Sequence, residues 1–140
     1  MRLRPSVLIA AMMLAPLAAK ADDTQAQIEL ELNALDPGEG SCRLTFVVVN
    51  SHETPLDKLV YETVLFDASG RVERLTLFDF GAVPSGPPRV RQFDIPGLDC
   101  GNIGRVLING PSACDGAGVD PMICTGPLKL GSRTDAELIG

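Results

Sequence analysis

Residues 41–67 read SCRLTFVVVNSHETPLDKLVYETVLFD, and their pattern decides the fold class. Cys42, Leu44, Phe46 and Val48 take every second position, the period of a strand with one face turned to a core. The Val and Thr between them are residues that strands favour. The polar stretch Ser51–Pro55 (SHETP) ends the run. In the next segment Leu59, Tyr61 and Leu65 lie opposite Val60, Val64 and Phe66. A helix can be drawn through Leu56–Asp67, but its Val, Tyr, Thr and Phe content and the Asp67-Ala68-Ser69-Gly70 turn favour a strand entering a hairpin. Arg71–Phe80 (RVERLTLFDF) is the returning arm.

Similar signals extend in both directions. Upstream, Ile28, Leu30 and Leu32 alternate with Glu29, Glu31 and Asn33, so Gln27–Leu35 reads as a strand closed by the turn Asp36-Pro37-Gly38. Downstream, the Pro-rich Gly81–Pro88 (GAVPSGPP) is a loop, Arg89–Ile95 a short strand, and Asn102–Asn109 an apolar strand. Gly110–Pro127 reads as a long loop dense in Gly, Pro and Asp, followed by a last strand at Leu128–Arg133 that can continue through Ala136–Ile139. About seven strands at this spacing predict an antiparallel β-sandwich.

The chain begins MRLRPSVLIAAMMLAPLAAKA. Arg2 and Arg4 precede an apolar run over Val7–Leu17, and Ala19-Lys20-Ala21 has the small-x-small form of a signal-peptidase site. The run is too short for the roughly 20 residues that span a bilayer. The expectation is a signal peptide over 1–21 cleaved after Ala21, a sandwich domain over 22–140, and a periplasmic, exported product without a membrane span. The even count of 4 cysteines, at Cys42, Cys100, Cys114 and Cys124, then reads as disulfides.

With 12 basic and 18 acidic residues the chain carries a formal charge of −6. Removal of Arg2, Arg4 and Lys20 would leave 9 basic against 18 acidic residues, or −9. Such a balance argues against nucleic acid, whose phosphates need a basic face. Asp22–Asp67 holds most of the excess acid, with 2 basic and 10 acidic residues, whereas Ala68–Arg105 holds 5 Arg against 4 acids.

The stretches VVVN, TVLFDASGRV and GAVPSG resemble those of bacterial extracytoplasmic immunoglobulin-like domains of the FxLYD kind. In those domains a strand ending in Asn and a strand ending in aromatic-Asp precede a Gly/Pro-containing element. The likeness covers about 55 residues between Ser41 and Ile95. That family usually lacks a Cys pair, so the four cysteines depart from it. FDIPGLDCGNIGRVLING is similar to segments of small exported alphaproteobacterial proteins. The likenesses imply a fold, an immunoglobulin-like antiparallel β-sandwich, and an extracytoplasmic compartment, and neither carries over a catalytic residue.

Motifs for chemistry are sparse. His52 is the only histidine and sits in the SHETP turn, without a nucleophile elbow or catalytic-cysteine context nearby. No CxxC spacing suggests zinc, and Asp115 and Asp120 lack a calcium-loop ladder. Gly101–Gly104 is too short for a dinucleotide fingerprint. Three function classes follow. The leading one is a noncatalytic periplasmic module, without cofactor, that binds or stabilises another periplasmic or membrane protein; the loops 110–127 and 81–88 are its candidate surfaces. The second is a copper chaperone using the soft ligands Cys114, Met122 and Cys124, with His52 as a further donor. The third is a thiol–disulfide enzyme, for which no basic neighbour or helix start is evident.

Strand directions give the disulfide pairing. In a seven-strand sandwich the second and sixth strands run the same way in facing sheets. Cys42 opens the second and Cys100 precedes the sixth, so both lie at one end of the sandwich. Cys114 follows the sixth strand, about 23 Å further along at about 3.3 Å per residue, beyond the roughly 7 Å between Cα atoms that a disulfide tolerates. The expected bonds are Cys42–Cys100 and Cys114–Cys124.

Overall fold

A computed structural model describes residues 25–140. The expected signal peptide, Met1–Ala21, lies outside the described residues. Among the described residues eight strands run in chain order: β1 (Ile28–Gly38), β2 (Ser41–Asn50), β3 (Leu56–Asp67), β4 (Val72–Val83), β5 (Arg89–Pro96), β6 (Ile103–Asp115), β7 (Leu128–Ser132) and β8 (Glu137–Ile139). A short helix, α1 (Met122–Thr125), precedes β7. The strands form two sheets of four, ordered β5-β2-β1-β7 and β4-β3-β6-β8. β2 and β6 thus lie in facing sheets, as in an immunoglobulin-like sandwich.

The core follows the alternation in the sequence. Ile28, Leu30 and Leu32 of β1 and Leu44, Phe46 and Val48 of β2 point inward from one sheet. Leu59, Tyr61 and Leu65 of β3, Phe78 and Phe80 of β4, and Val106 and Ile108 of β6 meet them from the other. Phe46 is the hub, with ring centroids 5.6 Å from both Phe78 and Phe80 and 6.0 Å from Phe93. Phe78 and Phe93 stack across the two sheets at 4.3 Å.

Three expectations are corrected at the level of detail. First, the sheets are mixed: β7 pairs parallel to β1, and β8 parallel to β6. The last segment does not continue as one strand but crosses between sheets. The Thr134 amide donates to Ser132 Oγ at 3.1 Å, and the Ala136 amide donates to Thr134 Oγ1 at 3.1 Å. These side-chain bonds build the bend that reverses the chain. Buried Ala136 and Leu138 then draw β8 onto the second sheet.

Second, β6 does not stop at Asn109 but runs on through Gly110-Pro111 to Asp115. Its register against β3 shifts between Glu62/Thr63 and between Val60/Tyr61. The irregularities absorb Gly110, whose φ of 151° belongs to the glycine region. Pro111 is tolerated because β6 has no second strand partner there among the described residues. Third, the turns are shorter than they read. β1 continues past Asp36-Pro37 to a tight turn at Glu39-Gly40, with Gly38 paired to Ser41, and β4 continues through Gly81 to Val83.

The two loops singled out in the sequence reach the same end of the sandwich, where β2, β4 and β6 all finish. Asn50 organises that end. Its side chain is fully buried, donates to the Thr54 carbonyl at 2.9 Å and accepts from the His52 amide at 3.0 Å. Its own carbonyl accepts from the Gly86 amide at 2.8 Å. At the opposite end Asp67 closes the β3–β4 hairpin, its Oδ1 accepting from the Ser69 amide at 2.9 Å, the Ser69 hydroxyl at 2.7 Å and the Arg71 amide at 2.9 Å. The Ser69 hydroxyl and the Arg71 amide hold the Asp67 carboxyl below its ordinary range.

Candidate functional site

The cysteines form the bonds Cys42–Cys100 and Cys114–Cys124, with Cα separations of 5.1 and 6.1 Å. They join the pairs that the strand directions put within reach. The first ties β2 to the turn before β6, at the end where both strands begin. The second lies at the other end and fastens α1 to the last residues of β6.

The ligands of the copper reading are not assembled. Cys114 and Cys124 are bonded to each other, and a disulfide sulfur has no thiolate to give a soft metal. Met122 is 70% exposed. It lines a shallow cleft of about 290 Å³ together with His52 and Asp120, but Asp120 Oδ1 is already occupied by the Met122 amide at 2.9 Å. The His52 backbone serves the Asn50 loop: its amide donates to Asn50 Oδ1, and its carbonyl accepts from the Ser85 hydroxyl.

A larger cleft, of about 650 Å³, opens on the flank where β7 and β8 end the two sheets. Its geometry follows from a mismatch in strand length. β8 covers β6 only over Arg105–Leu107, whereas β6 continues to Asp115. Above Leu107, therefore, one edge of β6 has no strand partner among the described residues, and across the gap β7 is paired there only to β1. The walls are Ile108 and Pro111 from β6 and Pro127, Leu128 and Leu130 from the chain entering β7. Tyr61 reaches this cleft from β3, and α1 roofs it.

Tyr61 connects core and roof. It is fully buried, and its hydroxyl donates to the Cys124 carbonyl at 3.0 Å. Burial pushes the phenol pKa well above its ordinary value, so it stays neutral and serves as a hydrogen-bond donor. The disulfide and this bond hold Cys124 from two sides. The cleft therefore combines apolar walls, a neutral phenol and open backbone, a composition suited to burying a side chain or an extended segment.

The sequence pointed to part of this site. Gly110–Pro127 was a candidate surface, and Pro111, α1 and Pro127 belong to the cleft and its roof. The other candidate, Gly81–Pro88, does not contribute; it packs on Asn50 instead. Tyr61, Ile108, Leu128 and Leu130 were missed as site residues. One signal was present for Tyr61: an inward-facing tyrosine in an apolar strand needs a partner for its hydroxyl.

No family model matches the chain, and no curated protein does, so the FxLYD likeness rests on its motif residues alone. A solved structure does match. IrmA from Escherichia coli aligns with a TM-score of 0.54 at 13% identity, over 62% of this chain and 76% of that one. At that identity the likeness shows the fold, a β-sandwich, and nothing of the activity. Among the described residues no helix is long and apolar enough to cross a membrane.

Proposed function

We propose that this chain is an exported, noncatalytic β-sandwich module that works in the periplasm by binding or stabilising another envelope protein, and that the cleft beneath α1 is the partner's seat. The observation that carries the reading is the gap beside β6. An edge without a strand partner next to an apolar cleft can accept an extended segment, with backbone hydrogen bonds supplying affinity and the cleft selecting a side chain. Loops on a rigid sandwich are a usual place for recognition. Two disulfides favour an oxidising compartment, and the N-terminal pattern Met1–Ala21 favours a cleaved signal. The excess of acidic residues would steer a basic partner, with an effect that fades as salt rises.

The test has two parts. Mass spectrometry of the protein from its native host should find Asp22 as the first residue in the periplasmic fraction; an intact Met1 start in the membrane fraction would overturn the export reading. Affinity capture from periplasmic extract should retain a protein with the native chain and lose it with Leu130→Arg, which fills the cleft from a partly exposed position. Retention undiminished by Leu130→Arg would move the seat elsewhere.

A further inference from the structure

We propose that the flank opposite the cleft, formed by the edge strands β4 and β5, is a self-association surface on which a second copy of this chain docks, β4 against β4 in antiparallel pairing. Three observations support it. The first is where exposed apolar side chains sit. Five large hydrophobic residues are strongly exposed among the described residues, and four of them, Val72, Leu75, Leu77 and Val90, belong to β4 and β5. Leu75 and Leu77 stand 60% and 56% exposed on a strand that closes its sheet. Val64, opposite Leu75, is 8% exposed although it faces the same side of the sheet, so the apolar strip continues inward from the edge.

The second is the state of the edge. β4 is 12 residues long with no strand beyond it among the described residues, and such an edge is a template for another strand unless it is blocked. Among those residues the block is at its far end. Arg91 of β5 donates from Nε to the Phe80 carbonyl at 2.6 Å and from Nη2 to the Ala82 carbonyl at 2.8 Å. Among the described residues no side chain donates to the β4 carbonyls of the stretch carrying Leu75 and Leu77; the neighbouring Arg74 donates from Nη2 to the Pro96 carbonyl of β5 at 3.1 Å instead. The other flank differs: β7 and β8 are only 5 and 3 residues long. Ion pairs from Lys129 to Glu29 and from Arg105 to Glu137 lie on that side.

The third is charge. Residues 25–140 hold 9 basic and 16 acidic side chains, a net −7, so two copies repel over most of their surface. β4 and β5 together hold Arg74, Arg89 and Arg91 against Glu73, Asp79 and Asp94, net zero. Two acidic bodies can approach on this neutral flank. β4, with 12 residues, is about 40 Å long and β5, with 8, about 26 Å, and each sheet with its outer side chains is about 10 Å thick. If covered from end to end the flank measures about 650 Å² per copy, within the range of a standard stable interface. Because the cleft lies on the other flank, the dimer would present two seats, facing away from each other. The inference stands independently of the proposed function.

Sedimentation velocity of the exported protein, disulfides intact, over a concentration series is the test. The expected result is a dimer that Leu75→Lys/Leu77→Lys weakens about 100-fold or more, as loss of central apolar contacts does. The variant should keep the circular-dichroism spectrum of the parent, and Lys129→Ala on the opposite flank should leave the dimer intact. Hydrogen exchange should slow at the β4 amides Arg74–Phe78 as concentration rises. A monomer at every concentration, a dimer indifferent to the double substitution, or β4 exchange independent of concentration would overturn the proposal.

Discussion

Removing the two disulfides one at a time should have unequal effects, and the size of the difference follows from the chain lengths they close. Cys42–Cys100 spans 58 residues and Cys114–Cys124 spans 10. On the chain-entropy relation these loops correspond to about 4 and about 3 kcal/mol, a difference of about 1.5 kcal/mol before rounding. Paired alanine substitutions are the right perturbation, because serine would place hydroxyls at Cys42 and Cys124, which are 0% and 1% exposed. Both alanine pairs leave a small void, so the cavity contributions largely cancel in the comparison. Urea denaturation with equal slopes for the two variants gives the difference directly. In thermal melts the first pair should lower the midpoint more, each kcal/mol corresponding to about 4 °C in a domain of this size. The second variant should show a local effect as well: faster hydrogen exchange in Met122–Thr125, because α1 would keep only the Tyr61 hydrogen bond and the packing of Ile123 on the core. A larger stability loss from the Cys114/Cys124 pair, or exchange in α1 unchanged by its removal, would refute the reasoning.

Three further outcomes are expected. Tyr61 is the only tyrosine in a chain without tryptophan, so phenolate absorbance reports on it alone; it should stay un-ionised beyond the ordinary value of about 10, and because burial raises its folded pKa, stability should fall as pH rises above the unfolded value. Titration in the native protein at the ordinary value would contradict its burial. Asn50→Ala should lower stability by about 2–3 kcal/mol in urea melts, since it strands the buried groups that Asn50 now satisfies; a loss under about 0.5 kcal/mol, the scale of a neutral surface change, would show that the loop end does not depend on Asn50. On the acid side, Asp67, Asp94 and Glu31 all have lowered pKa values, through Ser69, Arg43 and Asn33 respectively as their leading partners. Their contribution is complete above the unfolded carboxylate pKa of about 4 and is lost as pH falls through the lowered folded values. The urea midpoint should decline there, and less steeply in Asp67→Asn; an identical decline in that variant would remove Asp67 from the account.

The strand alternation made much of the fold legible. That residues 56–67 form a strand could be read, because packing in a sheet imposes a period of two; which face meets the core could not, since both are apolar and Val60 and Val64 are nearly as buried as Leu59 and Tyr61. The same rule placed Cys42 with Leu44 and Phe46. It fails where strand ends are decided by partners far away in sequence. Gly110-Pro111 is loop chemistry taken alone, yet β3 holds it in the sheet with two register shifts. Leu128–Ile139 gives no clear alternation, and the Ser132–Thr134 bend that splits it depends on weak local polar bonds. The cleft was hidden for a related reason. It arises from the difference in length between β6 and β8 and is walled by Tyr61, Ile108 and Leu130, which no local pattern brings together.

Whether the cleft beneath α1 seats another protein is decided by photocrosslinking in the native host. A photoreactive residue replaces Leu130 inside the cleft or, as control, Arg43 on the outer face of β2. The expected result is a discrete protein adduct from position 130, competed away by excess native chain and absent from position 43. No adduct from position 130, or the same adduct from both positions, would rule out a seat in the cleft.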